Sequence, residues 1–207
     1  MKIGVFGGGE AVGEHVLKLL DAAGHDAVTM AETENRAEEL KMMGAAEVFI
    51  SESGDFSKAL AGPDAVIYMP GAGSGAAESQ DALVDHDAVS AALEAAQREQ
   101  VGRIVCLSTV RTDEPEETKE TGGKHKPEAW MEESGLTYTV IRVSKAVSKP
   151  GKGTIEAAES LDGEVADMPY EDVAAVLVEA LDNENTFRKT FEVTAGETVI
   201  KEALDAL

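Results

Sequence analysis

The sequence predicts a doubly wound α/β domain with a mostly parallel sheet, and three observations lead to this class. Strand-length apolar runs alternate with helical patterns along the 207 residues. The runs are apolar throughout rather than alternating, which is typical of strands that helices cover on both faces of a sheet. The first run leads into a glycine turn that begins at Gly7 and opens a helical pattern. We therefore expect one doubly wound domain that spans residues 1–207.

The individual elements follow from local patterns in chain order. The first strand spans residues 2–6, and the helix after it places Val12, Val16 and Leu20 at helical spacing. Further strands are predicted at residues 27–30, 48–50, 65–69, 103–107, 138–143 and 190–194. Helices are predicted at residues 33–43, 79–100, 128–134 and 170–181 and from Glu197, with a short turn or helix at 55–60. Polar residues, prolines and a glycine pair predict a mobile loop at 112–127.

The charge of the chain excludes two classes of partner. Lys and Arg number 18 against 40 Asp and Glu, which gives a formal net charge of −22. Such a charge repels phosphate backbones and anionic lipids at long range, so we expect neither nucleic acid nor a membrane surface as a partner. The acidity has two explanations that the sequence leaves open, a salt-loving host or an ordinary acidic protein.

The cysteine content and the first residues predict a location. Cys106 is the single cysteine, which excludes an internal disulfide and a zinc cluster held by several thiolates. Its place within a strand predicts that it is buried. Met1 and Lys2 lead directly into the first strand without a signal-peptide core. We therefore expect a cytoplasmic protein, either a monomer or a small homo-oligomer.

The turn after the first strand has the composition of a dinucleotide-binding loop but an irregular spacing. It comprises Gly7, Gly8, Gly9, Glu10, Ala11, Val12 and Gly13. Glycines let the backbone approach a pyrophosphate, which the N–H groups of the helix N-terminus then bind. The strict G-x-G-x-x-G pattern fails, because Val12 stands where one frame needs glycine or alanine and Glu10 where the other needs glycine. The turn predicts a nucleotide site, with a tight connection as the alternative.

Glu10 has opposite effects on the empty and the occupied turn. A carboxylate in the first turn of a helix stabilises the helix by about 0.3–1 kcal/mol. The same charge within about 4 Å of a pyrophosphate repels it by several kcal/mol. Glu10 therefore weakens dinucleotide binding unless its side chain turns outward, and the sequence leaves both arrangements open.

Glu32 follows the second strand, about 20 residues after the glycine turn. At this position a carboxylate accepts hydrogen bonds from the 2′-hydroxyl of an adenosine ribose, whereas an arginine binds a 2′-phosphate. NAD(H) is therefore slightly favoured over NADP(H). The alternative interpretation is that Glu32 is a solvated surface carboxylate without a ligand. Arg36, on the next helix, is the residue that could still bind a phosphate.

Together these segments resemble the small atypical short-chain dehydrogenase/reductases, the NAD(P)H-binding or NmrA-like group, whose members are often labelled NAD-dependent epimerase/dehydratase. The resemblance covers nearly the whole chain and implies a Rossmann-like fold with an NAD or NADP cofactor. It depends on the order and spacing of KIGVFGGGEAVGEHVLKLLDAAGH (2–25), GPDAVIYMPG (62–71), VGRIVCLST (101–109), ESGLTYTVIRVS (133–144), PYEDVAAVLVEAL (169–181) and KTFEVTAGE (189–197).

The resemblance also implies which residues contact the cofactor. The cofactor loop of the group falls on residues 7–13, where Glu10 replaces its middle glycine. Glu32 stands where NADP-preferring members carry arginine. The small-residue turn beside the adenosine ribose and the pyrophosphate corresponds to Met69, Pro70 and Gly71.

Active members of the group use a Tyr-x-x-x-Lys pair, in which the tyrosine is the acid and the lysine binds the nicotinamide ribose. Lys124 matches the lysine, but Glu120 stands in place of the tyrosine. Ser108 and Thr109 match the Ser-Ser or Ser-Thr pair at the end of the fifth strand. Lys124, Ser108 and Thr109 are therefore the candidate catalytic residues, and Lys124 is also a candidate cofactor ligand. His125 is a weaker candidate proton donor.

Two functions from different classes remain. The first is an NAD(P)-dependent oxidoreductase, reductase-like or epimerase-like, that acts on an unknown small molecule while the cofactor supplies the hydride chemistry. The second is a catalytically inactive dinucleotide-binding regulator or redox sensor of NmrA-like type, which the missing tyrosine favours. No metal site is expected, because Asp85, His86 and Asp87 cannot all point the same way on a helix.

Overall fold

The computed structural model describes residues 1–7, 11–50, 57–69, 94–109, 131, 134–161 and 165–207. Its strands are β1 (Lys2–Gly7), β2 (Asp26–Ala31), β3 (Ala45–Ile50), β4 (Ala65–Met69), β5 (Arg103–Thr109), β6 (Thr137–Val143), β7 (Ala146–Val147), β8 (Thr154–Ala158), β9 (Met168–Pro169), β10 (Lys189–Ala195) and β11 (Thr198–Val199). Its helices are α1 (Val12–Ala22), α2 (Glu34–Met42), α3 (Ser57–Leu60), α4 (Tyr170–Glu179) and α5 (Ile200–Asp205). Residues 94–98 are also helical, and Glu184–Thr186 form a 3-10 helix.

The main sheet has nine strands in the order β11-β8-β10-β6-β5-β4-β1-β2-β3. Neighbours from β10 to β3 in this order are all parallel, while β8 and β11, at one edge, run antiparallel to their partners. The chain moves outward from β1 to β3 and then returns to the middle of the sheet to begin β4. The strand order therefore reverses between β1 and β4, and such a reversal opens a crevice at the carboxyl ends of the strands. The predicted doubly wound, mostly parallel sheet is confirmed.

Both faces of the central strands are buried, as their uniformly apolar runs predicted. On β4, Ile67 belongs to the hydrophobic cluster that includes residues of α1 and α4, whereas Val66 belongs to a second cluster. Successive side chains of a strand point to opposite faces, so the two clusters lie on the two sides of the sheet. Cys106 is buried in the second cluster, which confirms the prediction of its burial.

The ends of α2 are set by one side chain and one glycine. Oγ1 of Thr33 accepts the backbone N–H of Arg36 at 3.3 Å, which confirms the predicted start of this helix. Gly44 follows the helix with a φ of +110°, and a Cβ there would lie 2.8 Å from Cβ of Asp21. Glycine is therefore required where the chain turns from α2 into β3.

Some boundaries differ from the prediction because short strands depend on their neighbours. β3 begins at Ala45 rather than at residue 48, since its first residues already pair with β2. The last helix begins at Ile200 rather than at Glu197, because Thr198 and Val199 form β11 and pair with β8. Neither the antiparallel direction of β8 nor the small parallel sheet of β7 and β9 was predicted.

Several predicted elements lie in residues that the structure does not describe. The loop predicted at 112–127 lies outside the described residues, as do most of the helices predicted at 79–100 and 128–134. Among the helices that the structure describes, none has the length and apolar character needed to cross a membrane.

A buried arginine fastens the end of α4 to the sheet. Arg103, the first residue of β5, is 7% exposed. Its guanidinium lies 4.5 Å from the centroid of the Phe187 ring. Burial lowers the pKa of Arg103 to about 10, which leaves the side chain charged at neutral pH. The five N–H groups of the guanidinium reach six acceptors, so one N–H is shared; the acceptors are the carbonyl oxygens of Ile104, Thr137, Ala180 and Leu181 and the hydroxyl oxygens of Thr139 and Thr186.

Arg103→Met is expected to lower the free energy of unfolding by about 3 kcal/mol, because it leaves several buried acceptors without a donor. Urea denaturation followed by circular dichroism measures the loss. Arg98→Met is the matched control, since the Arg98 side chain is 63% exposed and its ion pair with Glu99 is 3.7 Å long. The control is expected to change stability by less than about 0.5 kcal/mol. Equal losses in the two variants would contradict the role assigned to Arg103.

Candidate functional site

β1 and β4 meet closely at the crevice, and Gly7 is the residue that lets them do so. Gly7 stands opposite Met69 in the register of the two strands. It has a φ of +76°, and a Cβ at this position would lie 2.1 Å from the carbonyl oxygen of Met69. Glycine is therefore required by the backbone conformation and by the contact. The carboxyl end of β1 presents bare backbone at the point where the strand order reverses.

α1 begins just beyond β1, and packing fixes its position. Val16, Leu17 and Leu20 are buried in the main hydrophobic cluster. Ala11, at the N-cap, has no side-chain acceptor for the first N–H groups of the helix. A helix N-terminus carries a partial positive charge and favours anions. The fold thus brings the N-terminus of α1 to the same edge of the sheet as Gly7.

Glu32 lies at the neighbouring corner of this edge. It follows Ala31, the buried last residue of β2, and it is exposed. Because β1 and β2 are adjacent and parallel, their carboxyl ends lie side by side. The structure therefore brings together three predicted features, namely Gly7, the start of α1 and Glu32. Their role in binding a dinucleotide stays a prediction.

Arg36, the predicted alternative ligand for a phosphate, is engaged in two ion pairs. Its Nη2 lies 3.2 Å from Oε1 of Glu14 on α1, and its Nη1 lies 2.9 Å from Oε2 of Glu39 on α2. The hydrogen bonds with Glu39 and then Glu14 raise the pKa of Arg36, against the opposing effect of burial. The pair with Glu14 spans 22 positions of the chain, and no local pattern in the sequence predicts it. Only the arrangement of the two helix starts brings these side chains together.

The ends of β4 and β5 hold three further predicted residues. The side chain of Met69 is fully buried, so it belongs to the core while its carbonyl oxygen faces Gly7. Ser108 is partly buried. β5 extends through Thr109, two residues beyond the predicted end, because Ser108 and Thr109 continue the pairing with β6. These two residues therefore form the last part of the strand rather than the turn after it.

The remaining predicted residues lie outside the described part of the chain. They are Gly8, Gly9, Glu10, Pro70, Gly71 and Lys124, together with Glu120, His125, Asp85, His86 and Asp87. Within the ranges that the structure describes, no group of three or more His, Cys, Asp or Glu side chains is placed to hold a metal ion.

A buried carboxylate at the start of α4 has a structural role. Asp172 is 4% exposed and accepts the backbone N–H groups of Lys152 at 2.9 Å and Gly153 at 2.8 Å. Next to it, Glu171 accepts the N–H of Gly151 at 2.8 Å. These bonds fasten residues 151–153 to the first turn of α4, so the carboxylate of Asp172 serves the fold.

The fold and this edge define a class, that of Rossmann-like proteins with a glycine at the carboxyl end of β1. The NAD(P)H-binding family model matches residues 7–184, and the chain belongs to this family. Among named relatives, the chain is 32% identical over 216 residues to the uncharacterized sugar epimerase YhfK of Bacillus subtilis (strain 168), and the match covers 100% of both proteins.

Solved structures share the fold over its full length. One, from Bacillus halodurans, is provisionally described as an NAD-dependent epimerase/dehydratase; it is 26% identical, covers 100% of both chains and has a TM-score of 0.86. Another, the oxidoreductase ylbE of Lactococcus lactis, is 23% identical with a TM-score of 0.79, and covers 100% of this chain and 96% of its own. The second likeness concerns the fold alone.

Gly7→Ala is expected to lower the free energy of unfolding by about 3 kcal/mol, because the added Cβ collides with the Met69 carbonyl as well as straining the backbone. Gly24→Ala is the matched control, since Gly24 has a φ of +74° but no described atom lies within 4 Å of its Cβ position. Backbone strain alone is expected to cost the control about 1 kcal/mol. Urea denaturation compares the two variants, and equal losses would show that the close approach is not the constraint.

Proposed function

We propose that the chain binds NAD(H) across the crevice between β1 and β4 and catalyses hydride transfer to or from a small molecule. The observation that supports this proposal is the placement of Gly7, the start of α1 and Glu32 at the adjacent carboxyl ends of β1 and β2. Membership of the NAD(P)H-binding family supports a nicotinamide dinucleotide as the ligand. NAD(H) is proposed over NADP(H) because of Glu32.

The described residues of this edge fit a dinucleotide. Gly7 ends β1 without a side chain, and its backbone lies at the carboxyl edge of the sheet, where a phosphate of the dinucleotide is proposed to approach. The first N–H groups of α1, from Ala11 to Gly13, are the proposed donors to the pyrophosphate oxygens. The exposed carboxylate of Glu32 is the proposed acceptor for the ribose 2′-hydroxyl. Residues 69–71 are proposed to line the adenosine side of the crevice.

The substrate is proposed to bind beside the carboxyl end of β5. The bound nicotinamide supplies the hydride chemistry. Ser108 and Thr109 reach this edge at the end of β5 and are proposed to orient the substrate. Lys124 is proposed, from its match to the lysine of the Tyr-x-x-x-Lys pair, to bind the nicotinamide ribose. Glu120 stands where that pair has its tyrosine, so the proton of the reaction has to come from another group.

The substitution of the tyrosine also favours a second candidate, a dinucleotide-binding regulator without turnover. An assay of NADH and NADPH oxidation with ketones, aldehydes, quinones and flavins separates the two. Epimerisation of sugar nucleotides is added to the panel because of the name of the Bacillus subtilis relative. Turnover supports the oxidoreductase, and tight binding without turnover supports the regulator.

Glu32→Ala is expected to weaken NAD⁺ binding about tenfold, because it removes a charge-assisted hydrogen bond to the ribose. Isothermal titration calorimetry measures the dissociation constants at constant ionic strength. Glu38→Ala is the control, since Glu38 is an exposed residue of α2 and its loss changes the net charge equally. The control is expected to bind NAD⁺ like the wild type.

The result that contradicts the proposed function is a wild-type protein that binds neither NAD(H) nor NADP(H). The titration is repeated at molar salt, because the net charge of −22 weakens the binding of any anion at low ionic strength.

A further inference from the structure

The ion pair between Glu14 and Arg36 joins the two helix starts that flank Glu32. Glu14 lies in the first turn of α1 and Arg36 in the first turn of α2. Their side chains are 19% and 24% exposed. Glu39, the other partner of Arg36, lies on α2 itself and is 52% exposed. It is therefore the contact with Glu14 that holds the guanidinium against α1.

The corner around Glu32 carries more acid than base. At the end of β2 and the starts of α1 and α2, one arginine is accompanied by Glu14, Glu32 and Glu34, and Glu39 of α2 also pairs with it. A 2′-phosphate would add about two negative charges, whereas a 2′-hydroxyl adds none. Two carboxylates already contact the guanidinium of Arg36. A phosphate at this corner would compete with these carboxylates for the guanidinium and would be repelled by their charge.

We propose that Glu14 determines the choice between NAD(H) and NADP(H), because its ion pair keeps the guanidinium of Arg36 from a 2′-phosphate beside Glu32. This inference rests on the proposed function, since it concerns the adenosine end of the same site. Glu14 is a positioning residue, because it acts through Arg36 and not on the dinucleotide itself. On this proposal, Arg36 lies near the end of β2 without selecting NADP(H) because Glu14 holds its guanidinium.

The first test compares two neutralising substitutions that break ion pairs of equal length. Glu14→Gln releases Arg36, and Glu47→Gln breaks the 3.2 Å pair between Glu47 and Lys2, the first residue of β1. Both remove one negative charge. Glu14→Gln is expected to tighten NADP⁺ binding about tenfold and to change NAD⁺ binding less than about twofold. Glu47→Gln is expected to leave the ratio of the two dissociation constants unchanged.

The second test asks whether the effect of Glu14 passes through Arg36. The double variant Glu14→Gln/Arg36→Ala is expected to lose the whole gain in NADP⁺ affinity. Adenosine 2′,5′-bisphosphate and ADP serve as fragments, because they differ in whether they carry a 2′-phosphate. The gain in Glu14→Gln is expected with the 2′,5′-bisphosphate and not with ADP.

The outcomes separate this inference from the proposed function. An unchanged NADP⁺ to NAD⁺ ratio in Glu14→Gln, with NAD⁺ still bound, overturns the inference and leaves the proposed function standing. An equal gain in Glu47→Gln, or a gain that survives in the double variant, also overturns it, because net charge alone would then explain the change. A wild type and variants that bind neither dinucleotide nor either fragment overturn both.

Discussion

The close approach of β1 and β4 at Gly7 is the constraint on which the rest of the structure depends. The carbonyl oxygen of Met69 occupies the space that any side chain at Gly7 would need. Because β1 and β4 are also the strands where the order of the sheet reverses, this contact lies at the crevice of the fold. α1 begins at Val12, and its buried face of Val16, Leu17 and Leu20 fixes the direction of its N-terminus. The packing of β1 against β4 and the proposed binding of a dinucleotide therefore both depend on the close approach of the two strands at Gly7.

The acidity of this edge is a second property relevant to binding, and the fold alone does not determine it. The chain has a net charge of −22. The corner at the end of β2 is acidic too, because several carboxylates lie around Arg36. Such a corner suits a neutral ribose hydroxyl better than a phosphate. By contrast, the buried Arg103 at the opposite end of β5 is surrounded by carbonyl and hydroxyl acceptors and serves stability. The two arginines show how the same side chain takes different roles according to its partners.

Local patterns in the sequence predicted the parallel strands of the main sheet but not the short strands β7, β8, β9 and β11. Apolar runs of the length of β4 and β6 identify buried strands, because both faces of each strand must be apolar. β8, β11 and the pair of β7 and β9 are short or partly exposed, and only pairing with distant segments makes them strands. Gly7 and Glu32 could be located because each stands directly after an apolar run; Gly7 proves to be the last residue of β1, and Glu32 follows β2. The Glu14–Arg36 pair could not, because it depends on how two helices are placed across 22 positions of the chain.

The central claim is that a dinucleotide binds where β1 passes into α1. The most direct measurement is a titration of the ¹⁵N-labelled protein with NAD⁺, in which backbone amide shifts are mapped onto the sheet. The largest shifts are expected at Gly7, Ala11 to Glu14 and Glu32, at the carboxyl edge of the strands. Binding at this edge is contradicted if its amides do not shift, or if the shifts concentrate at the opposite edge around His25 and Gly44, where a polar groove lies between α1 and α2.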